Sequence, residues 1–471
     1  MQQKDYKKAT TSPHSLSQKQ DLISKYNVPA PRYTSYPTVP FWDSETWTEE
    51  KWIERIKMAY EQSSDEGISL YIHLPFCESL CTYCGCNTRI TKNHGVEIPY
   101  LNDVLKEWQL YKKHLGDDIL VSDIHLGGGT PTFFSPENLK LLVEGLLQDC
   151  RVSSESEFSF EAHPANTTVE HLQTLYNLGF RRLSLGIQDF DPLIQFLINR
   201  KQTEEEVNYV VKQARKIGYT SINFDLIYGL PKQTSTTIRD TVEKVTKLRP
   251  DRISFYSYAH VPWLRPGQRH YNEDDLPKDE EKLQLYQLGK KIISQSGYSD
   301  IGMDHFALPT DSLYKASKEG TLHRNFMGYT DRYSQLMIGL GVSSISDSWH
   351  AFAQNVKKNE EYHAILAEGK LPLMKGHIHT KLDLILRKHI LDIMCKSQTN
   401  WNRSIFRNFD YIGKKIETEL LPLKKDGLIN VSERNIKVTE MGHAFLRNIC
   451  MAFDERLHSN TPTKKLFSRA I

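Results

Sequence analysis

Four of the seven cysteines of this 471-residue chain fall within ten residues, in the run Cys77-Glu-Ser-Leu-Cys81-Thr-Tyr-Cys84-Gly-Cys86. Random placement would almost never crowd thiols so tightly, so the fold must present this loop for a purpose. No hydrophobic signal segment opens the chain, and Cys150, Cys395 and Cys450 are scattered singly. The expectation is therefore a reducing, cytoplasmic setting and not a disulfide framework. That leaves metal. Structural zinc usually joins two cysteine pairs, or a pair and a histidine pair, separated by a dozen or so residues. Here no second pair follows. Iron-sulfur clusters are held by thiolates in tight runs, and a run supplying only three ligands leaves one iron open. A cluster is the favoured reading, with zinc as the alternative.

Length, more than composition, sets the expectation of a large domain plus a smaller one. With a net charge of +2 no polyanion-binding surface is announced, and no stretch of about 18 apolar residues suggests a membrane span. Met1 to Gln20 is polar and reads as a tail. From Tyr26 to Thr38, Pro29, Pro31 and Pro37 forbid a helix, while Tyr26, Tyr33 and Tyr36 could pack on or cover a surface; this reads as a strap.

A helical pattern near Trp47 to Tyr60 gives way to alternation. Ile68 to Phe76, Ile119 to Leu126, Glu157 to Ala162, Arg182 to Ile187, Ser221 to Ile227 and Arg252 to Tyr258 are six predicted strands. Helices separate most of them: Ser135 is a predicted N-cap with Pro136 behind it, and Thr203 with Glu206 forms a capping box whose helix should stop at Gly218. Strand, helix, strand, helix implies a parallel sheet. Polar residues then recur at one address, the carboxyl ends of the strands, where such barrels keep their active sites. The cysteine loop follows the first strand, Gly127 to Thr132 the second, Glu161 closes the third, and Gln188 with Asp189 ends the fourth. Asp225 lies in the fifth, and Tyr258-Ala259-His260 ends the sixth. Taken singly, a triple glycine is often only a turn, and Glu161, Gln188 or Asp225 could be satisfied structural groups. Arg200 could equally be a surface arginine or a carboxylate clamp.

The spacing of Cys77, Cys81 and Cys84 resembles the cluster loop of the radical S-adenosylmethionine (SAM) enzymes. More specifically, the chain resembles the oxygen-independent coproporphyrinogen III dehydrogenases (oxidases) of haem synthesis. The residues that carry this likeness are Pro31 to Thr38, Tyr71 to Cys77, Cys84-Gly-Cys86, Gly127 to Thr132, Gly186 to Phe190, Asp225 to Pro231, Gly302 to Ala307, Leu322 to Phe326 and Arg447 to Asp454. The resemblance implies an incomplete (β/α)6 TIM-like barrel over residues 51–365, a tail and strap over the active site in 1–50, and a mainly helical, winged-helix-like cap in 366–471. It implies one 4Fe-4S cluster on Cys77, Cys81 and Cys84, its open iron bound by SAM, with Cys86 a neighbouring thiol. It also implies two SAM molecules. Tyr71, Gly128, Glu161 and Ile345 would contact the cluster-bound one, and Tyr83, Gly129, Thr130, Gln188, Arg200, Asp225 and Ala259 the second. The implied reaction converts two propionates of coproporphyrinogen III to vinyl groups, giving protoporphyrinogen IX. The implied partners are that substrate and a low-potential donor such as flavodoxin or ferredoxin, with no nucleic acid, and the implied state is a monomer.

A tetracarboxylate substrate should want fixed cations, for which Arg32 and Arg324 are candidates, with His260 and His305 as weaker ones. Two other readings remain. One is the haem-binding relative of the same family, a haem-trafficking chaperone, against which stand Cys86, the strap and the long C-terminal domain. The other is a zinc module joined to a nucleic-acid-binding wing, against which stands the near-neutral charge.

Overall fold

The computed structural model describes residues 21–263, 265–459 and 466–470, so the tail expected over Met1 to Gln20 lies outside the described residues. Two compact units result: Trp42–Leu384, and Met1–Phe41 together with Ile385–Ile471.

The unit Trp42–Leu384 contains the six predicted strands, each within two residues of its expected ends. They are β1 (Ile68–Leu74), β2 (Ile119–Gly128), β3 (Phe158–Ala162), β4 (Phe180–Gln188), β5 (Ser221–Tyr228) and β6 (Arg252–Ser257). Each is followed by a helix: α1 (Glu97–Leu115), α2 (Pro136–Leu147), α3 (Val169–Asn177), α4 (Glu204–Ile217), α5 (Ser235–Leu248) and α6 (Asp279–Gln295). The local signals act as expected. Ser135 accepts the amide of Asn138 at 3.2 Å, and Thr203 and Glu206 exchange their capping bonds at 2.8 and 3.1 Å. Gly218 ends α4 at φ +118°, a conformation that costs a residue with a Cβ.

The strands pair in parallel in chain order, β1 to β6. Their alternation divides two environments. On β5, Ile222, Phe224 and Leu226 are buried in the apolar core, while Ser221, Asn223 and Asp225 line the barrel interior. Helix α4 contributes Val207, Val210, Val211 and Ala214 to that core, one stripe of an amphipathic helix.

The sheet does not close. On the far side of β1 a short parallel strand, β7 (Met337–Leu340), pairs Ser69 with Met337. Antiparallel strands Ile345–Asp347, Ala351–Asn355 and Leu373–Ile378 continue from it. Beyond β6 lie two more, His305–Ala307 and Ser299–Gly302, also antiparallel. None of these flanking strands was among the six predicted.

In the other unit, the helix Asp410–Lys425 leads into a hairpin of Ile429–Val431 and Asn435–Val438, with Gln398–Asn400 added as a third strand. The expected helix-plus-wing pattern is present. In the same unit Tyr33 and Tyr36 are buried, Tyr33 donates to Asp454 Oδ2 at 3.1 Å, and Arg447 Nε donates to the Pro31 carbonyl at 3.0 Å.

Candidate active site

The interior of the open barrel is a cavity of about 750 Å3 into which many polar side chains reach. Its floor is ionic. At the amino ends of β4 and β6, Arg182 Nη1 pairs with Asp331 at 3.2 Å, and Arg252 pairs with Asp311 at 2.7 Å and with Asp331 at 3.6 Å. Burial opposes ionisation of Asp331, but Arg182 and Arg252 prevail and hold it down at about 2. Asp123, also buried there, is pushed up to about 6.

Above the floor, inward side chains hydrogen-bond across neighbouring strands. Ser184 Oγ and Asn223 Nδ2 donate to the two oxygens of Asp225 at 2.9 and 3.0 Å, and Ser254 Oγ donates to Asn223 Oδ1 at 3.1 Å. Burial still pushes Asp225 up to about 6. On the other side His125 Nδ1 and Ser159 Oγ lie 2.7 Å apart, and the His125 ring stacks on Tyr71 at 5.9 Å. Glu161 accepts the Gly128 amide at 3.1 Å and lies 3.4 Å from His125 Nε2; against the upward push of burial, these partners bring its carboxyl below its usual range.

The cysteine loop forms the upper wall. Cys77, Cys81, Cys84 and Cys86 all line the cavity, and the groups that hold them come from several elements. Thr130 Oγ1 donates to Cys77 Sγ at 3.3 Å, and Arg200 Nη1 to Cys81 Sγ at 3.7 Å. Burial pushes the Cys77 thiol up to about 11, whereas hydrogen bonding from Cys86 brings Cys84 down to about 6. The joint beneath the loop is close-packed: Gly129 N donates to the Leu74 carbonyl at 2.8 Å, Thr130 N to the Phe76 carbonyl at 3.0 Å, and a Cβ on Gly129 would lie 2.7 Å from the Pro75 carbonyl. Gln188 ends β4 at φ +66°, a strained setting held by Asp189 behind it, which accepts Gln233 at 2.6 Å and Thr241 at 2.8 Å.

Of the predicted contacts, Tyr83, Gly128, Gly129, Thr130, Glu161, Gln188, Arg200 and Asp225 line the same cavity as the cysteines. Tyr71, Ala259 and Ile345 stand outside this lining: Tyr71 stacks behind His125, and the Ala259 carbonyl accepts Gln268. Among the cation candidates, His305 lines the cavity 3.4 Å from the Tyr256 hydroxyl. Arg324 is buried over the Tyr329 ring at 4.7 Å, His260 meets the Tyr258 hydroxyl at 3.1 Å, and Arg32 belongs to the other unit. Sequence reasoning missed His125, His163, Ser184, Asn223, Arg182 and Arg252 as lining residues. For all but His163, which follows the end of β3, the signal was present as polar residues at every second position of otherwise apolar strands.

The donor set fits an iron-sulfur cluster: three thiols share one wall, each lining the cavity. Among the described residues no three His, Cys, Asp or Glu side chains are grouped to hold a single metal ion. No helix is long and apolar enough to cross a membrane among the described residues.

Comparison with known proteins places this geometry. The radical SAM superfamily model matches residues 71–245. The oxygen-independent coproporphyrinogen III oxidase of Escherichia coli is 39% identical over 454 residues, spanning 96% of this chain and 98% of that protein. The enzymes of the same name from Pseudomonas aeruginosa and Helicobacter pylori are 38% and 37% identical over 96% of this chain, covering 98% and 99% of their own lengths. The solved structure of coproporphyrinogen III oxidase from Escherichia coli, described as a radical SAM enzyme, matches with a TM-score of 0.85 at 37% identity. It covers 93% of this chain and 98% of that one.

Proposed function

This chain belongs to the oxygen-independent coproporphyrinogen III oxidases of the radical SAM superfamily, and from that membership we propose how its residues divide the work. The protein is an oxidoreductase of haem biosynthesis that decarboxylates coproporphyrinogen III anaerobically, turning two propionates into vinyl groups to give protoporphyrinogen IX. When bound, a reduced 4Fe-4S cluster and SAM would supply the one-electron radical chemistry that activates an otherwise inert carbon of a propionate, and this chain's residues would hold and orient them.

Cys77, Cys81 and Cys84 hold the cluster as thiolates. Tyr71, Gly128, Glu161 and Ile345 serve the cluster-bound SAM; Glu161, kept ionised by the Gly128 amide and His125, is suited to fix a cationic or hydroxyl-bearing group. Tyr83, Gly129, Thr130, Gln188, Arg200, Asp225 and Ala259 serve a second SAM. Arg200 is buried against the Gly186 carbonyl and Cys81, which fixes its fork in one orientation. No side chain is required as nucleophile or general base; the barrel orients its guests and excludes solvent. The electron comes from a low-potential flavodoxin or ferredoxin, and the protein works as a cytoplasmic monomer, a setting that suits its seven free thiols.

The observation that carries this division is the convergence of all the cysteines of the loop with Glu161, Gln188, Arg200 and Asp225 on one cavity. The test is anaerobic: the cluster is reconstituted, reductant, SAM and coproporphyrinogen III are added, and 5'-deoxyadenosine and porphyrin products are followed together by chromatography. Both appear if the division is right. A cluster present without decarboxylation, and haem bound in its place, would point to the haem-trafficking relative.

A further inference from the structure

The cysteine loop has almost no regular structure, so its stability rests on where its backbone polar groups go. The first half is served by the barrel. The Thr91 amide donates to the Cys77 carbonyl at 2.9 Å, Asn199 Nδ2 to the Leu80 carbonyl at 2.7 Å, and the Thr82 amide to the Ile198 carbonyl at 3.0 Å. The second half, Tyr83 to Cys86, is served by a turn outside the barrel, Pro266–His270, in the connection between β6 and α6.

Two side chains of that connection make the contacts. Gln268, only 1% exposed, donates through Nε2 to the Tyr83 carbonyl at 3.3 Å and to the Ala259 carbonyl at 3.2 Å, while its Oε1 accepts the Val261 amide at 2.6 Å. Arg265 donates to the carbonyls of Gly85 and Cys86. The turn is pressed against the loop: a Cβ on Gly267 would lie 3.4 Å from the Leu80 side chain and from the Thr82 carbonyl. Two carbonyl oxygens facing one another repel, and a buried amide between them converts that repulsion into a joint. Gln268 is such a joint between the cysteine loop and the tip of β6.

We propose that Gln268, assisted by Arg265, is the positioning residue for the second SAM: it ties Tyr83, which lines the cavity, to Ala259 behind that lining at the tip of β6, without touching the SAM itself. This rests on the reading above that Tyr83 and Ala259 serve a second SAM. The bonds of Gln268 go to Tyr83, Ala259 and Val261 and not to Cys77, Cys81 or Cys84, so the proposal requires the cluster and the first SAM to survive loss of the joint.

The experiment counts SAM equivalents. Reconstituted wild type, Gln268→Leu, Gln268→Glu and Arg265→Lys are analysed for iron, for the electron paramagnetic resonance change of the reduced cluster on adding SAM, and for SAM bound by anaerobic equilibrium dialysis. The wild type binds two equivalents. Gln268→Leu and Gln268→Glu keep their iron and the resonance change but bind the second equivalent at least tenfold more weakly, Gln268→Glu being the worse because it sets an acceptor against two carbonyls. Arg265→Lys, which keeps a donor for Gly85 and Cys86, retains most of the second binding. Two tight equivalents on Gln268→Leu would overturn the proposal. So would loss of iron from that variant, which would make the joint a support of the cluster. A wild type that binds one equivalent would instead overturn the two-SAM reading, and the proposal with it.

Discussion

Replacing Gly129 by alanine should cost more than its single methyl group suggests. The added Cβ would stand 2.7 Å from the carbonyl carbon and oxygen of Pro75 and 2.8 Å from the Phe76 oxygen, all backbone atoms at the root of the cysteine loop. Comfortable carbon contacts begin at about 3.5 Å, so the tips of β1 and β2 must part by roughly 0.8 Å. Two backbone hydrogen bonds cross that joint, from Gly129 to Leu74 and from Thr130 to Phe76. Losing both costs about 2 kcal/mol, and overpacking adds about 1–3 kcal/mol, for a total of about 3–5 kcal/mol. Unfolding entropy of about 2.1 cal/mol/K per residue gives the unit Trp42–Leu384 about 0.7 kcal/mol/K, so Tm falls by roughly 4–7 °C. Iron uptake on anaerobic reconstitution should fall with it, because the displaced backbone carries Cys77. Gly145→Ala is the control. Its Cβ would meet only the far end of the flexible Leu105 side chain at 2.8 Å, inside α2, where alanine gains about 1 kcal/mol of helix propensity. Calorimetry and iron analysis decide the matter. A Gly129→Ala protein that melts within about 1 °C of wild type and loads fully with iron would refute the reasoning.

Cys81→Ala should abolish both iron uptake and 5'-deoxyadenosine formation, while Cys150→Ala, which is not among the cavity-lining residues, should leave iron content unchanged by colorimetric assay. Burial sets the Asp225 carboxyl at about 6, so second-site SAM affinity should weaken as pH falls through 6, by about tenfold per unit below it. Asp225→Asn should bind weakly at every pH, as titration calorimetry would show. On the floor, Asp331 sits at about 2 in the folded protein, below its ordinary 3.8. The native state therefore releases this proton more readily than the unfolded chain, and about 2 kcal/mol of stability is present above pH 4 and lost between pH 4 and 2. Asp331→Asn should cost about 2 kcal/mol near neutrality, since Arg252 keeps Asp311 and Arg182 keeps Glu157 as partners. Urea unfolding should show that gap narrowing toward pH 2.

The six barrel strands were legible because each alternates, with apolar residues such as Ile222, Phe224 and Leu226 facing the helices. The caps at Ser135 and Thr203 were legible because their chemistry is local. The strand β7 was not, since Met337, Ile338, Gly339 and Leu340 are all buried and a four-residue apolar run has no period to read. Cys77, Glu161, Gln188 and Asp225 could be placed on one mouth from their positions at strand ends. Gln268 could not: its role depends on a loop folding back onto Tyr83, a contact between distant positions that no local pattern encodes. Arg324 was named as a substrate clamp from its charge alone; what no local pattern could show is that the hairpin carrying it lays the side chain over the Tyr329 ring.

The pairing of Ser69 with Met337 also bears on how the protein is made. Each of β2 to β6 meets its neighbour soon after leaving the ribosome, because chain order and sheet order coincide there. The strand β1, which carries the cysteine loop, has one partner next to it and the other at the far end of the unit. Closing so long a loop is entropically slow, and the amino-terminal part is synthesised first. The thiols are thus translated early, while one edge of the strand that carries them stays unpaired until that far partner, Met337–Leu340, has been made.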